Sequence, residues 1–335
     1  MKAVGYQQPL AVTEQGSLLD IELPRPDASG RDILVKIEAV SVNPVDTKIR
    51  RGVKPPEGEF KVLGWDAVGV VESIGNEVSL FSPGDKVWYA GAIDRPGTNM
   101  EYHLVDERIV AKMPATLNYN EAAALPLTSI TAWELLFDRL KITNTQTGTL
   151  MIIGAAGGVG SILIQLAKQL TKLTVIASAS RSETKKWVKS LGADYVIDHS
   201  QSLILELQAQ GFSDVNYIAS LTHTADHLSD IASLISPQGH LALIDDPEEF
   251  NIMPFKTKSV SIHWEFMFTR SLFETDDIIE QHNLLSRVAK LVDSGTIKTT
   301  ALENFGKINA CNLIKAHTFL ESGKATGKII LSGFD

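Results

Sequence analysis

The stretch Leu150-Met151-Ile152-Ile153-Gly154-Ala155-Ala156-Gly157-Gly158-Val159-Gly160 restricts the fold of this chain more than any other. Four large apolar residues in a row, without alternation, fit a parallel strand covered on both faces. Val159, Ile162, Leu163, Leu166, Ala167 and Leu170 then recur at helical intervals. Between strand and helix lies a turn of only glycine and alanine, where backbone amides and a helix N-terminus stay open to close approach. A pyrophosphate requires such a turn at the first βα connection of a doubly wound sheet. A glycine pattern alone is a weak signal, and its strand–turn–helix setting gives it force. Here the pattern is Ala155-x-Gly157-x-x-Gly160, with alanine in the usual first glycine position. Ala155, Ala156, Gly157, Gly158, Val159 and Gly160 are therefore the expected dinucleotide-binding residues.

Further strand-like runs follow at Leu173 to Ala177, Ala193 to Asp198, Asn216 to Leu221 and Leu241 to Asp245, with helix-like segments between them. Ser182 is placed to cap a helix that ends at Gly192. Strand alternating with helix at this interval means βαβ units. The second strand speaks to the cofactor. An NAD site carries an acidic residue about 20 positions beyond the fingerprint, for the ribose 2′-hydroxyl. This chain reads Ala177-Ser178-Ala179-Ser180-Arg181, with no carboxylate before Glu183. Ser180, Arg181 and Lys185, with Lys186 nearby, suit a 2′-phosphate, since arginine offers a forked donor set. The expected cofactor is NADP(H). A solvated Arg181 that simply begins a helix remains the alternative.

Residues 1–124 have another texture: short β-branched runs such as 33–40 and 67–74, punctuated by turns such as Pro83-Gly84. The texture returns from about 268, with an amphipathic helix at Asp276 to Leu291 and a last strand at Lys328 to Leu331. A β domain interrupted by an α/β insertion accounts for this order, and 335 residues suit two domains. The net charge of −9 argues against nucleic acid or an anionic membrane as partner. The single cysteine, Cys311, excludes a disulfide framework or a cysteine-rich zinc lobe and fits a reducing, cytoplasmic setting. No run approaches the roughly 20 apolar residues of a membrane helix, and the first residues lack a signal-peptide core.

Together with the glycine turn, Gly64-Trp65-Asp66-Ala67-Val68-Gly69, Pro83-Gly84-Asp85-Lys86-Val87, Leu125-Pro126-Leu127-Thr128 and Thr326-Gly327-Lys328 resemble the medium-chain dehydrogenase/reductase superfamily over essentially the whole chain. Ser41-Val42-Asn43-Pro44-Val45-Asp46 is similar to its quinone oxidoreductase and enone reductase branch, which includes bacterial zinc-type alcohol dehydrogenase-like members. The resemblance implies a mixed α/β chain. An irregular, GroES-like β-barrel catalytic domain spans 1–124 and 268–335, and a Rossmann domain spans 125–267. Zinc enzymes of the superfamily place a cysteine near position 43 and a histidine in a Gly-His-Glu motif. This chain has Asn43 and Trp65 there, so no metal site is expected.

Without a Lewis acid, hydrogen-bond donors must polarise the acceptor. By the same resemblance, Asn43 and Lys48 are the candidate donors and Trp65 lines the substrate site. Thr128 and Thr131 face the nicotinamide, and Phe266 closes over it together with Met267 and Phe268. Arg50 is expected to pair with Asp46 at helical spacing. Ser259 to Trp264 reads as an edge strand that pairs across a homodimer. The resulting expectation is zinc-independent, NADPH-dependent reduction of a quinone or α,β-unsaturated carbonyl. A zinc alcohol dehydrogenase and an NADPH-binding sensor or structural protein are the alternatives.

Overall fold

In the computed structural model, which describes residues 1–334, the β-branched N-terminal runs form eight strands. These are β1 Lys2–Tyr6, β2 Leu19–Glu22, β3 Asp32–Val42, β4 Lys61–Val62, β5 Ala67–Ile74, β6 Lys86–Tyr89, β7 Tyr102–Asp106 and β8 Val110–Lys112. Helix α1 covers Pro44–Gly52, α2 Tyr119–Ala123 and α3 Pro126–Trp133. The second texture gives β9 Thr149–Ile153, β10 Thr174–Ser178, β11 Tyr195–Ile197, β12 Val215–Ser220, β13 Ile235–Leu243 and β14 Ser261–Trp264. Between them run α4 Gly158–Leu170, α5 Ser182–Ser190, α6 Leu203–Ala209 and α7 Thr224–Leu234. The chain closes with α8 Thr269–Leu272, α9 Glu280–Asp293, β15 Ala301–Asn304, α10 Ala310–Glu321 and β16 Lys328–Ser332.

Two units result: Met1–Ile130 with Phe268–Asp335, and Thr131–Met267. In the first, a seven-stranded sheet runs β15-β16-β3-β5-β6-β8 with β7 also on β3, beside a three-stranded sheet β2-β1-β4. Its long strand β3 buries Ile33, Leu34, Val35, Ile37, Val40 and Val42, and Val68 of β5 and Val87 and Trp88 of β6 are buried likewise. The first junction lies at Ile130, later than the expected residue 124. Hydrogen bonds explain the shift: Thr299 Oγ1 donates to Glu121 O at 2.6 Å, Thr300 Oγ1 to Ala124 O at 3.3 Å, and Leu127 N to Asp66 at 2.7 Å.

In the second unit six parallel strands lie in the order β11-β10-β9-β12-β13-β14. Counted within the unit this is 3-2-1-4-5-6, the doubly wound order whose direction reverses between β9 and β12. Leu150 to Ile153 are fully buried, as a strand covered on both faces requires. Two expected helix starts move. Arg181, not Ser182, is the N-cap residue of α5. Helix α9 begins at Glu280 instead of Asp276, because Asp277 is held in a turn by Thr275 Oγ1 at 2.6 Å and Arg270 Nε at 3.0 Å.

Candidate active site

On the second unit, β9 ends at Ile153 and the chain turns at Gly154, whose φ of +79° favours glycine. Gly157 is the N-cap residue of α4 in an extended conformation, and no side chain caps this helix. A Cβ at Gly157 would meet nothing nearer than Gly154 O at 3.5 Å, so the space before the helix N-terminus is open. A Cβ at Gly160 would stand 2.5 Å from Ala155 Cα, where α4 packs against the strand end. One glycine leaves room for a ligand and the other lets the helix close on the sheet. An uncapped N-terminus of thirteen helical residues offers free N–H groups and positive potential to a pyrophosphate.

Beside it, Ser180, Ser182, Lys185, Lys186 and Lys189 line a cavity of about 510 Å³. The basic groove follows directly from the carboxylate-free end of β10, and it suits a phosphate on the ribose. Two details were not legible in sequence. Lys185 is already paired, its Nζ 2.8 Å from Asp198 Oδ2 at the end of β11. Arg181 Nε lies 3.4 Å from Glu183 Oε1, and its side chain is 37% exposed. Burial pulls Asp198 upward, but hydrogen bonds from Lys185 and Ser200 outweigh it and hold the carboxyl down at about 2.

Thr131, buried, begins this unit, and three residues on the helix widens into a π segment, Glu134–Arg139. Glu134 and Glu265 are both buried, with Arg139 Nε 2.8 Å from Glu265 Oε2 and Arg139 Nη2 3.7 Å from Glu134 Oε2. Burial, and then the charge of Glu134, raises Glu265 from 4.5 to about 9. Phe266 follows and is 46% exposed.

On the first unit the structure revises several expectations. Asn43 is 1% exposed and caps α1: its backbone N–H donates to Asp46 Oδ2 at 2.6 Å. Its amide N–H meets Asp66 Oδ2 at 2.8 Å, so the donor expected to polarise a substrate is committed to the protein. Trp65 is fully buried, with Nε1 donating to Ala92 O at 3.1 Å and its ring edge-on to Phe268 at 6.2 Å. It is a core residue, because the loop carrying Ala92 folds over it. The hydroxyl of buried Thr128 turns back onto Leu125 O at 3.1 Å, as a first-turn threonine does. Lys48 is exposed on α1. Arg50 does not pair with Asp46; its Nη2 lies 2.6 Å from Glu321 Oε1 on α10, with Nη1 3.5 Å from His317 Nδ1.

Asp46 is fully buried, and desolvation raises it from 3.8 to about 7, against the Asn43 N–H and Lys328. Asp66 gathers four donors: Ser41 Oγ at 2.7 Å, Asn43 Nδ2 at 2.8 Å, Lys328 Nζ at 3.1 Å and Leu127 N at 2.7 Å. Nothing in the sequence marked Lys328 beyond its motif, since it lies 262 positions from its partner. The donor set at positions 43 and 65 does not fit zinc: an amide turned towards a carboxylate stands at one and an indole at the other. Among the described residues no group of three or more His, Cys, Asp or Glu is placed to hold a metal.

A doubly wound sheet with an open glycine turn, joined in one chain to a GroES-like β unit, defines a dinucleotide-dependent oxidoreductase. Comparison with known proteins agrees. Residues 29–115 match the alcohol dehydrogenase GroES-like domain, and residues 191–331 match the zinc-binding dehydrogenase family. A zinc-type alcohol dehydrogenase-like protein of Staphylococcus aureus (strain MSSA476) is 40% identical, over 99% of this chain and 100% of that protein. A 2-methylene-furan-3-one reductase of Solanum lycopersicum is 30% identical, over 99% of this chain and 79% of its own. A crystal structure from Rhizobium etli CFN 42, named for a zinc-dependent alcohol dehydrogenase, is 55% identical with a TM-score of 0.96, covering 100% and 98% of the two chains. A mycobacterial protein complexed with NADPH is 26% identical with a TM-score of 0.83, covering 99% and 100%. The chain belongs to the medium-chain dehydrogenase/reductase superfamily.

Proposed function

We propose that this protein is an NADPH-dependent reductase of quinones or α,β-unsaturated carbonyls that works without zinc. The observation that carries the reading is the open, uncapped N-terminus of α4 beside a groove lined by Lys185, Lys186, Lys189, Ser180 and Ser182. Backbone N–H groups at Gly158 to Gly160 hold the pyrophosphate, and the lysines with Arg181 hold the 2′-phosphate. The NADPH complex of the mycobacterial relative supports this cofactor, and the furanone reductase of tomato supports a conjugated carbonyl as acceptor. When bound, NADPH supplies a hydride to the conjugated acceptor. The exposed ammonium of Lys48 is the donor that polarises the acceptor oxygen, a role that Asn43, spent on Asp66, does not fill. Strand β14, which pairs with β13 and ends the sheet among the described residues, with Trp264 52% exposed, suits a homodimer. No helix among the described residues is long and apolar enough to cross a membrane, and a cytoplasmic setting fits the reading.

The test is steady-state turnover of a panel of quinones and enones with NADPH and with NADH, on protein purified without added zinc. The expected result is turnover with NADPH preferred by about tenfold or more in kcat/KM, some 1.4 kcal/mol, and no stoichiometric metal. Preference for NADH would remove the cofactor assignment. Stoichiometric zinc, with oxidation of alcohols, would favour the alcohol dehydrogenase reading that the names of the Staphylococcus and Rhizobium relatives carry.

A further inference from the structure

Lys328 opens β16 and is 3% exposed, yet its ammonium lacks for nothing. Its three hydrogens meet three oxygens: Val42 O at 3.0 Å, the Asn43 amide oxygen, and Asp66 Oδ2 at 3.1 Å. A lysine buried without partners would lose its proton or stay outside, so a cage this complete is a specific provision. Asp66, 0% exposed, passes the cation's hold onward. Oδ2 takes Ser41 Oγ at the end of β3 and Asn43 Nδ2 at the cap of α1, while Oδ1 takes Leu127 N in the first turn of α3. One ion pair thus fixes the N-termini of two helices. Helix α1 carries Lys48, and α3 carries Thr128.

We propose that Lys328 is a positioning residue of the reductase: its ammonium is a tethered cation in an oxygen cage, and through Asp66 it sets the starts of α1 and α3 and with them the segments that serve the acceptor. Its kinetic readout rests on the function proposed above, while its binding readout does not. A lysine here for packing alone would be replaceable by any side chain of its length, whereas a tethered cation must supply charge and N–H groups at this one point.

The test compares wild type, Lys328→Met and Lys328→Met/Asp66→Asn as full chains. The single variant leaves Asp66 buried opposite a thioether and should melt lower. The double variant removes both charges and should recover most of that loss. The expected result is kcat reduced about tenfold or more in both, with KM for NADPH within about twofold of wild type. Wild-type kcat in the stable double variant would reduce Lys328 to a structural role and overturn the proposal. Should the methionine variants fail to fold, Lys328→Ala supplies the second measurement. Propylammonium, which replaces the missing amine, should raise its melting temperature where tetramethylammonium, without N–H groups, does not. Equal effects of the two cations, or none from either, would refute the cage. If the wild type reduces no quinone or enone, the reductase reading fails, and the amine-dependent melting still decides on the cage.

Discussion

Two glycines in one turn make opposite demands, and that separates ligand binding from folding. At Gly157 a Cβ meets only Gly154 O at 3.5 Å, an ordinary contact, and the backbone is extended. Gly157→Val is therefore tolerated by the protein and obstructs only what approaches α4. At Gly160 a Cβ would lie 2.5 Å from Ala155 Cα and from Ala155 O. Gly160→Ala must then push the helix off the strand end. The expected outcome is near-normal melting with lost NADPH binding for the valine variant, and a melting point several degrees lower for the alanine variant, about 1 kcal/mol or more. Calorimetric titration and thermal unfolding check both; normal NADPH affinity in Gly157→Val would displace the cofactor from this turn. The turn was legible in sequence because its parts are consecutive. The Asp66–Lys328 pair was not, because its partners lie 262 positions apart and only β16 pairing with β3 brings them together. Trp65 misled for a related reason: replacement of a metal ligand was readable, but not that the side chain is fully buried and bonds Ala92, 27 positions away in the loop after β6.

At the scale of the element, the helix that begins at Pro126 does not end as an α-helix but opens into the π segment Glu134–Arg139, closed by Leu140 N on Leu135 O at 3.0 Å. Single-turn π segments are rare and store a widened backbone that something must hold. Here the holders are charges. Glu134 and Arg139 stand at the two ends of the segment, and both reach Glu265, which follows the edge strand β14. Burial, and then the neighbouring carboxyl of Glu134, which Arg139 only partly offsets, push Glu265 up to about 9 and leave a proton on the pair. Glutamine copies a protonated glutamate in shape and hydrogen bonding and has no proton to lose on unfolding, so Glu265→Gln should be at least as stable as wild type at neutral pH. Glu265→Ala strands Arg139 and Glu134 and should cost about 1–3 kcal/mol. Urea unfolding at pH 7 distinguishes them; equal losses would mean that the pair holds no proton. The sequence announced the strands and helices around this segment through their periodicity. It gave no sign of the widened turn, because a glutamate and an arginine at its ends look like any solvated helix face.

For the molecule as a whole, the buried titratable groups pull stability in two directions, and their balance predicts a pH profile. His103, stacked on Tyr89 and bonded to its hydroxyl at 3.0 Å, is pushed by burial from 6.5 down to about 4. Burial, and then Arg50, takes His317 to about 3. Both imidazoles are neutral in the fold and charge on unfolding, so their contribution is complete above 6.5 and is lost as pH falls towards those values. Asp46 and Glu265 have the opposite sign. Their folded values of about 7 and about 9 exceed the ordinary 3.8 and 4.5, so their contribution is complete below the ordinary values and is lost as pH rises through the folded ones. Between 4.5 and 6.5 two groups gain what two groups lose, and stability should stay nearly flat. Below 3.8 only His317 of these four groups still takes up a proton, joined by carboxyls held low such as Asp198, and stability falls with acid. Above 7 Glu265 alone remains, and stability should fall by about 1.4 kcal/mol per pH unit, the linkage slope for one proton, until it is ionised near 9. Unfolding free energies measured from pH 4 to 10 on wild type and Glu265→Gln test the account. The glutamine variant should lose the alkaline branch and keep the acid one. An alkaline branch that persists unchanged in that variant would mean that some other group carries the proton.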